Sequence, residues 1–335
     1  MFKPGVVRFL LASIVILFHV TKFVFIGTLA VFCFFILSGY WVTLMYEFKY
    51  SKKVNSLIVF YVSRILRLLP VFYLITVIIF IFYSFYVPGL FHELSFFSLK
   101  GIGFCFSNLF LLGYNQLTFI PIGPAWSLDI ELQFYLLFPL ILILMKSRSN
   151  RIICIAMSVL ISFFLTVFCP GSFLSGTILK YLIYFLIGVT IFKDDIKFTR
   201  TTEMIFNCIF LLVLIVFYSF PHLYSLVKEG NTKYNEYFNL LSSFLLIPFL
   251  SNSVRRVSNN TDVLFGGVSY VLYLCHWMFI VPYNYYIAGI GGIIRLPFTI
   301  GFLLITYAFA FIIYLYFDNP IDKRRKKWVA NQLNK

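Results

Sequence analysis

Residues 124–145 read PAWSLDIELQFYLLFPLILILM, and this stretch decides the fold class of the chain. A helix needs about 20 apolar residues to cross the hydrocarbon core of a bilayer, and the stretch is long enough. Its two charged side chains, Asp129 and Glu131, lie in its first half. The stretch is solidly apolar, whereas a membrane-barrel strand alternates apolar and polar residues. It therefore predicts a transmembrane helix.

The rest of the chain has the same apolar character. Of its 335 residues 61% are hydrophobic and 12% are charged, which is about half the ~25% of a soluble domain. A single soluble core cannot bury that much apolar surface. The aromatic content of 21% excludes a disordered chain. We predict an all-α fold, a polytopic transmembrane helical bundle that forms one integral-membrane domain over residues 1–335.

About ten membrane spans are predicted. They cover residues 6–22, 24–46, 68–87, 124–145, 151–168, 174–192, 204–220, 237–250, 266–286 and 297–317. The segment 104–119 is apolar but short and interrupted by polar residues and glycine, so we expect a re-entrant or interfacial piece there. The segment 54–69 is basic at its ends and apolar along one side, which predicts an interfacial helix before the span that follows Pro70.

The positive charge of the chain predicts its orientation. The formal net charge is +15, with 27 Lys and Arg residues. If the N-terminus is inside, 21 of these fall in inner loops and five in outer loops, and such an excess marks cytoplasmic loops. We predict that both termini are cytoplasmic, including a short basic tail at 323–335. The charge then serves orientation, and no nucleic-acid partner is expected.

The cysteines and glycines of the chain point to no bound group. The six cysteines lie singly in apolar stretches, without the spacing of a disulfide framework or a metal site. The glycine patterns of phosphate-binding loops, dinucleotide-binding folds and serine hydrolases do not occur. We expect no metal and no bound cofactor.

An ionisable side chain inside a span costs about 3 kcal/mol or more, and is therefore a functional candidate. Arg8 and His19 lie eleven residues apart in the first span, so they share one helix face with a rise of about 16 Å between them. Arg8 is either an orientation anchor or part of a site. His19 is either a structural hydrogen-bonding group or a general base, which a neutral imidazole suits.

The stretch that decides the fold also carries polar residues. Ser127, Glu131 and Tyr135 follow each other at intervals of four and share a helix face. Asp129 points nearly the opposite way and lies near the outer boundary, where we expect it to reach water. Glu131 lies deeper and needs a partner, for which a histidine is the candidate. The alternative for Glu131 is a purely structural role.

Two further groups complete the candidates. Tyr273 and His276 share a face of the late span, which predicts a polar cavity lining, with an interfacial anchor as the alternative for His276. Arg64 and Arg67 lie three residues apart at the cytoplasmic entry to the third span. They form either a positive flank that sets orientation or a clamp for phosphates, which arginine binds bidentately.

Five elements together resemble one family, the membrane-bound acyltransferase family 3, with its polysaccharide and O-antigen O-acetyltransferases. They lie in this order between Arg8 and Pro320: Arg8 with His19, FFILSGYW (34–41), RILRLLP (64–70), WSLDIELQFY (126–135) and SYVLYLCHW (269–277). One departure is Asp318-Asn319-Pro320, where the family usually has a Glu-x-Pro-like motif. The role of Asp318 is therefore open.

The resemblance implies an O-acetyltransferase of the bacterial cytoplasmic membrane. The donor is cytoplasmic acetyl-CoA, a co-substrate, and the acceptor is a hydroxyl of an O-antigen or capsule sugar or of its lipid-linked precursor. Membrane lipids are further expected partners, and the oligomeric state stays open. Arg8, Arg64 and Arg67 match the residues that bind acyl-CoA.

The catalytic candidates by the same resemblance are His19, Glu131 and His276. The supporting residues are Ser38, Trp126, Ser127 and Tyr273. Which histidine is the base stays open, as does an acyl-enzyme on His19. The alternative from another class is a proton-coupled transporter or flippase of a polysaccharide precursor, because buried His and Glu also form proton relays.

Overall fold

The computed structural model describes residues 2–21, 23–51, 56–86, 98–228, 232–287 and 289–333. Its helices are α1 (Pro4–Val20), α2 (Gly27–Met45), α3 (Ser56–Tyr86), α4 (Leu99–Phe110), α5 (Trp126–Leu144), α6 (Arg148–Val167), α7 (Ile178–Lys193), α8 (Arg200–Ser219), α9 (Pro221–Val227), α10 (Thr232–Leu245), α11 (Ile247–Ser253), α12 (Asn260–Ile287), α13 (Arg295–Ile313) and α14 (Asn319–Leu333). Two π-helical segments, Tyr46–Tyr50 and Tyr314–Asp318, extend α2 and α13. No strand occurs among the described residues, which confirms the all-α prediction.

Eight helical stretches of the described chain are long and apolar enough to cross a membrane. They are Gly27–Tyr50, Ser56–Tyr86, Gly123–Leu144, Arg148–Val167, Leu174–Lys193, Arg200–Ser219, Asn260–Ile287 and Arg295–Leu333. Each coincides with one of the ten predicted spans, so the chain is a polytopic membrane helical bundle. The predicted orientation of the bundle stays a prediction.

The other two predicted spans have shorter helices. The first corresponds to α1, an apolar helix of 17 residues. The predicted span 237–250 was wrong as one continuous helix, because α10 ends at Leu245 and α11 begins at Ile247. Pro248 lies in the first turn of α11. Proline has no N–H and is favoured in a first turn, so it begins a new helix here.

The predicted break before Pro70 is also absent. The described parts of the expected interfacial helix 54–69 and of the third span belong to one helix, α3, with Pro70 inside it. An internal proline costs a helix about 3 kcal/mol. The buried stripe of α3 runs through this position, with Phe60 before it and Phe72 after it, both fully buried. Packing of such a stripe, more than local propensity, decides whether a helix continues.

The segment 104–119 contains no spanning helix, as expected. Helix α4 has 12 residues and ends at Phe110. Leu111 and Gly113 then adopt left-handed backbone conformations, with φ of 55° and 69°. These conformations end a helix and expose backbone N–H groups for other partners.

By internal packing the chain forms two compact units. The first unit comprises Met1–Leu44 and Ile183–Tyr270, and the second comprises Met45–Leu182 and Val271–Lys335. The single domain predicted over the whole chain stays a prediction. Arg8, His19 and Ser38 belong to the first unit. The other candidate residues belong to the second unit, and each unit is described by itself.

In the first unit, α2 and α7 approach each other through two glycines. A Cβ on Gly39 would lie 2.2 Å from the carbonyl oxygen of Phe185, and one on Gly188 would lie 2.1 Å from the carbonyl oxygen of Ile36. Both distances are far below van der Waals contact, so only glycine permits this approach. Gly39 is the glycine of the FFILSGYW motif, and the motif therefore sets the separation of two helices.

Replacing Gly39 with alanine should destabilise the first unit. The added methyl group forces α2 away from α7, and overpacking of this kind costs about 1–3 kcal/mol. We expect a lower midpoint of thermal unfolding for the purified protein in detergent. Gly103→Ala is the control, because a Cβ at this helical position meets nothing within 4 Å. Equal midpoints for the two variants would contradict the packing argument.

Two buried asparagines of α10 secure the segment that connects α1 to α2. Asn235 and Asn239 both donate from Nδ2 to the carbonyl oxygen of Phe25, at 2.8 and 3.0 Å. The Oδ1 atom of Asn239 accepts the N–H of Leu29 at 3.1 Å. Buried backbone groups outside regular helix need such partners. The asparagines therefore hold the end of α1, near His19, relative to α2.

Candidate active site

Helix α1 carries the predicted pair Arg8 and His19 and is anchored at its start. The backbone N–H of Val6 donates to Oδ1 of Asp262 at 2.9 Å, and Asp262 is buried. A Cβ on Gly5 would lie 1.9 Å from the carbonyl oxygen of Asp262, so α1 and α12 touch here. An acceptor on the first turn satisfies a helix donor that has no partner within the helix. Asp262 thereby positions the helix that carries both candidates.

The shared face of Arg8 and His19 is confirmed by the continuity of α1 between them. Both side chains are half-buried. Ser38 lies in α2 of the same unit, directly before Gly39, and is also half-buried. A half-buried side chain keeps one part packed and leaves another part accessible. The roles of these three residues stay predictions.

In the second unit, the structure joins two of the sequence motifs through a pair of hydroxyls. The Ser127 and Tyr273 hydroxyl oxygens lie 2.8 Å apart, and both side chains are buried. The carbonyl oxygen of Pro124 lies 3.0 Å from each of them. One hydroxyl donates to the other, which leaves the second to donate to the carbonyl oxygen. This arrangement links the start of α5 to the middle of α12.

His276 lies one turn after Tyr273 and is fully buried. Its Nδ1 is 3.3 Å from the carbonyl oxygen of Leu272 on the same helix. When Nδ1 carries the proton and donates to this carbonyl, Nε2 is the acceptor nitrogen of the ring. That tautomer is the one a general base needs.

Glu131 has a tyrosine partner on its own helix. The Tyr135 hydroxyl donates to Oε1 of Glu131 at 2.5 Å, which confirms their predicted common face. The ring of Tyr135 also faces the guanidinium group of Arg64, with 5.8 Å between the Arg64 Cζ and the ring centroid. One tyrosine therefore contacts a candidate acid and a candidate cation. The histidine partner predicted for Glu131 stays a prediction.

Trp126 begins α5 and is half-buried. Its ring centroid lies 5.3 Å from that of Tyr181 on α7. The contact orients the first turn of α5, directly before Ser127.

Asp129 does not reach water, contrary to expectation. It is fully buried, and its carboxylate accepts the backbone N–H groups of Gly113 at 3.2 Å and Asn115 at 3.1 Å. It also accepts from Nε2 of Gln133 at 2.8 Å, and Gln133 in turn accepts the N–H of Ile178 at 2.9 Å. The left-handed turn after α4 presents the two N–H groups, and a carboxylate is the acceptor that satisfies both. Asp129 is a structural acceptor here.

Arg64 is buried, with 4% of its surface exposed. Its guanidinium carbon lies 5.8 Å from the ring centroids of both Phe60 and Tyr135, and Nη2 lies 3.9 Å from the sulfur of Met45. No residue of the described chain accepts a hydrogen bond from its Nε. A buried guanidinium group that is surrounded by rings and a thioether retains N–H groups that can donate hydrogen bonds to an anion.

Arg67 has a different environment, although it lies one turn from Arg64. Its Nη1 lies 3.0 and 3.1 Å from the two carboxylate oxygens of Asp318, which is buried. Asp318 ends the π-helical segment that follows α13. The sequence comparison left its role open, and the structure pairs it with Arg67.

A third arginine, missed from the sequence, lies at the same end of α3. Arg325 on α14 donates from Nη1 to the hydroxyl of Ser63 at 2.7 Å and from Nη2 to Asp322 at 2.6 Å. The predicted basic tail is a helix over its described residues, and Arg325 ties it to α3. The sequence signal for Arg325 was only its place in the basic cluster KRRKK (323–327), which is typical of a flank that sets orientation.

Comparison with known proteins identifies the family. The profile of a family described as "Acyltransferase domain" matches residues 4–315. The chain is 25% identical over 332 residues to an "O-acetyltransferase OatA" of Staphylococcus aureus, covering 91% of this chain and 54% of that protein. It is 33% identical over 132 residues to a "Peptidoglycan O-acetyltransferase OatA" of Listeria monocytogenes, covering 37% of this chain and 21% of that protein.

An uncharacterised protein of Haemophilus influenzae is 27% identical over 251 residues, with 71% of this chain and 91% of that protein covered. The chain spans about half the length of the Staphylococcus relative. No solved structure matches. Because the family profile matches nearly the whole chain, the resemblance of its five motifs is confirmed, and the chain belongs to the acyltransferase family that this domain defines.

Proposed function

We propose that the protein is an O-acetyltransferase of the bacterial cytoplasmic membrane. It takes an acetyl group from cytoplasmic acetyl-CoA and transfers it to a hydroxyl of a surface polysaccharide, an O-antigen or capsule sugar, or of its lipid-linked precursor. The observation that carries the proposal is the match to the acyltransferase family over residues 4–315. Relatives that are named O-acetyltransferases support an acetyl group as the group transferred and a hydroxyl group as its acceptor.

The arginines at the start of α3 support a phosphate-bearing donor. Arg64 is buried, and its described contacts are two rings and a sulfur rather than a carboxylate. A buried cation without an anion is costly, and a phosphate group of CoA would supply the missing charge. Arg67 is paired with Asp318, which fixes the position of its guanidinium group at the start of α3. Arg8 is the third proposed contact to acyl-CoA.

His19 is the proposed general base. It removes the proton of the acceptor hydroxyl, whose oxygen forms a bond to the thioester carbonyl carbon. The carbon–sulfur bond of the tetrahedral intermediate then breaks, and the CoA thiolate takes the proton from the imidazolium. Such general-base assistance contributes about 10²–10⁴ in rate.

Glu131 and His276 are the other proposed catalytic residues. Glu131, held by the hydroxyl of Tyr135, orients and polarises an imidazole, as the third member of a triad does. His276 is the alternative base. Ser127 and Tyr273 position the start of α5 beside α12 through their hydrogen bond.

The test is transfer of label from radiolabelled acetyl-CoA into the surface polysaccharide in isolated membranes. Arg64→Gln should lower the initial rate at subsaturating acetyl-CoA at least tenfold, because one hydrogen bond to a charged group contributes about 1.5–3 kcal/mol. Arg324→Gln is the matched control, since Arg324 is exposed on α14. The amount of each protein in the membrane is measured in parallel by gel filtration of a fluorescent fusion.

Label that requires the protein and falls in Arg64→Gln but not in Arg324→Gln would support both the enzyme and its donor site. If no acyl-CoA gives label above that of membranes without the folded protein, the proposal fails. Transport of a polysaccharide precursor would then be the leading function.

A further inference from the structure

The exposed face of α14 carries most of the charge of this helix. Five residues of α14 are Lys or Arg and one, Asp322, is acidic. The carboxylate of Asp322 lies 2.6 Å from Nη2 of Arg325 and 2.8 Å from Nζ of Lys326, so its charge is balanced within the helix. The remaining positive charge belongs to three exposed side chains, those of Lys323, Arg324 and Lys327.

The opposite face of α14 packs against α3. Arg325 donates from Nη1 to the Ser63 hydroxyl at 2.7 Å, and Val329, one turn further along, is buried. At 100° per residue, Lys323 and Lys327 each lie about 160° around the helix from Arg325. Because α14 is fixed through one face, its exposed cations point away from α3.

The length of the helix places these cations at the level of lipid headgroups. Arg295–Leu333 is one helical stretch of 39 residues, and about 20 residues suffice to cross the hydrocarbon core. Counted from Arg295, the rise is about 42 Å to Lys323 and about 48 Å to Lys327. A bilayer with its headgroups is about 40–45 Å thick, and an average tilt shortens both rises by a few Å. If Arg295 begins the span at one surface, the two lysines lie among the headgroups of the other.

We propose that this face of α14, formed by Lys323, Arg324 and Lys327, binds the headgroups of anionic phospholipids. A phosphate without a compensating ammonium group supplies the opposite charge at the level where the helix carries its cations. Trp328 follows directly and is half-buried, and tryptophan is typical of the same level of a membrane. The inference goes beyond the proposed transfer reaction and does not depend on it.

The experiment is native mass spectrometry of the purified protein in a non-ionic detergent. Dioleoyl-phosphatidylglycerol and dioleoyl-phosphatidylcholine, which have the same chains, are added separately over the same concentration range. We expect phosphatidylglycerol to bind more tightly to the unmodified protein. Lys323→Gln/Lys327→Gln should lower the ratio of the two affinities at least fivefold, which corresponds to the ~1 kcal/mol that one basic residue contributes near an anionic lipid surface. Lys323→Arg/Lys327→Arg keeps both charges and should keep the ratio.

Lys100→Gln/Lys228→Gln is the matched control for this experiment. It removes the same amount of charge from two exposed lysines on the predicted outer side. It should leave the ratio of the two affinities unchanged, because neither lysine belongs to α14.

Equal binding of the two lipids by the unmodified protein would overturn the proposal. An unchanged ratio in Lys323→Gln/Lys327→Gln would do the same, and so would an equal loss in the control pair, which would attribute binding to net charge alone. The glutamine pair is also assayed for transfer from acetyl-CoA. A higher KM for acetyl-CoA together with an unchanged lipid ratio would assign this face to the donor instead.

Each variant is first shown to elute as a single folded species. If Lys323→Gln/Lys327→Gln does not fold, Arg324→Gln tests the same face and should lower the ratio in the same direction.

Discussion

The His19→Ala variant should lose acetyl transfer almost completely, with a fall in rate of about 10²–10⁴. The proposed step needs a group that accepts the proton of the acceptor hydroxyl, and alanine offers none. His19 is half-buried at the end of α1, so its removal should leave the packing of the helix largely intact. The measurement is the initial rate of label transfer from acetyl-CoA, normalised to the amount of protein in the membrane.

His222→Ala is the matched control for this experiment. His222 is exposed in α9 and outside all of the candidate motifs, so its replacement should leave the rate unchanged. A His19→Ala variant that retains the normal rate would contradict the assignment. If His276→Ala then abolished transfer at normal protein levels, His276 would take the role of base.

The same variant separates direct transfer from an acyl-enzyme. Protein incubated with labelled acetyl-CoA, without acceptor, should stay unlabelled if the hydroxyl attacks the thioester directly. Label that is bound to the protein and lost in His19→Ala would instead assign an acyl-imidazole intermediate to His19.

The Asp129→Ala variant should show the largest loss of stability. Alanine leaves the N–H groups of Gly113 and Asn115 and the amide of Gln133 without their acceptor. Each unsatisfied buried group costs about 1–3 kcal/mol, so a total of about 3 kcal/mol or more is expected. The measurement is the midpoint of thermal unfolding and the yield of folded protein in detergent. Asp129→Asn keeps one acceptor oxygen and should lose less.

Glu131→Gln is the informative comparison, because Glu131 lies two residues away on the same helix. Its side chain is half-buried and retains an acceptor for the Tyr135 hydroxyl after the substitution. We expect nearly normal stability and a lower rate of transfer. A Glu131→Gln protein as unstable as Asp129→Ala would show that Glu131 also has a structural role.

Local periodicity made much of the structure predictable. A run of about 20 apolar residues has few alternatives to a helix in a membrane, and eight predicted spans coincide with such helices. The helical repeat likewise places Glu131 on the same helix face as Tyr135, and Arg8 on the same helix face as His19. Both relations depend only on the spacing of residues along one helix. The errors lie where packing overrides a local signal, as at Pro70, or where a proline divides a span, as at Pro248.

By itself, the sequence determined the fold class, most of the spans, the faces that carry the polar residues and the family. Only the tertiary structure decided which of these faces meet within each unit. Hydrogen bonds join Ser127 to Tyr273 and Arg67 to Asp318, although each pair is far apart in the sequence. Asp129, which was expected to contact water, is a buried hydrogen-bond acceptor. The physical reason is that helix periodicity is a property of a few neighbouring residues, whereas a contact between helices depends on how all of their side chains pack together.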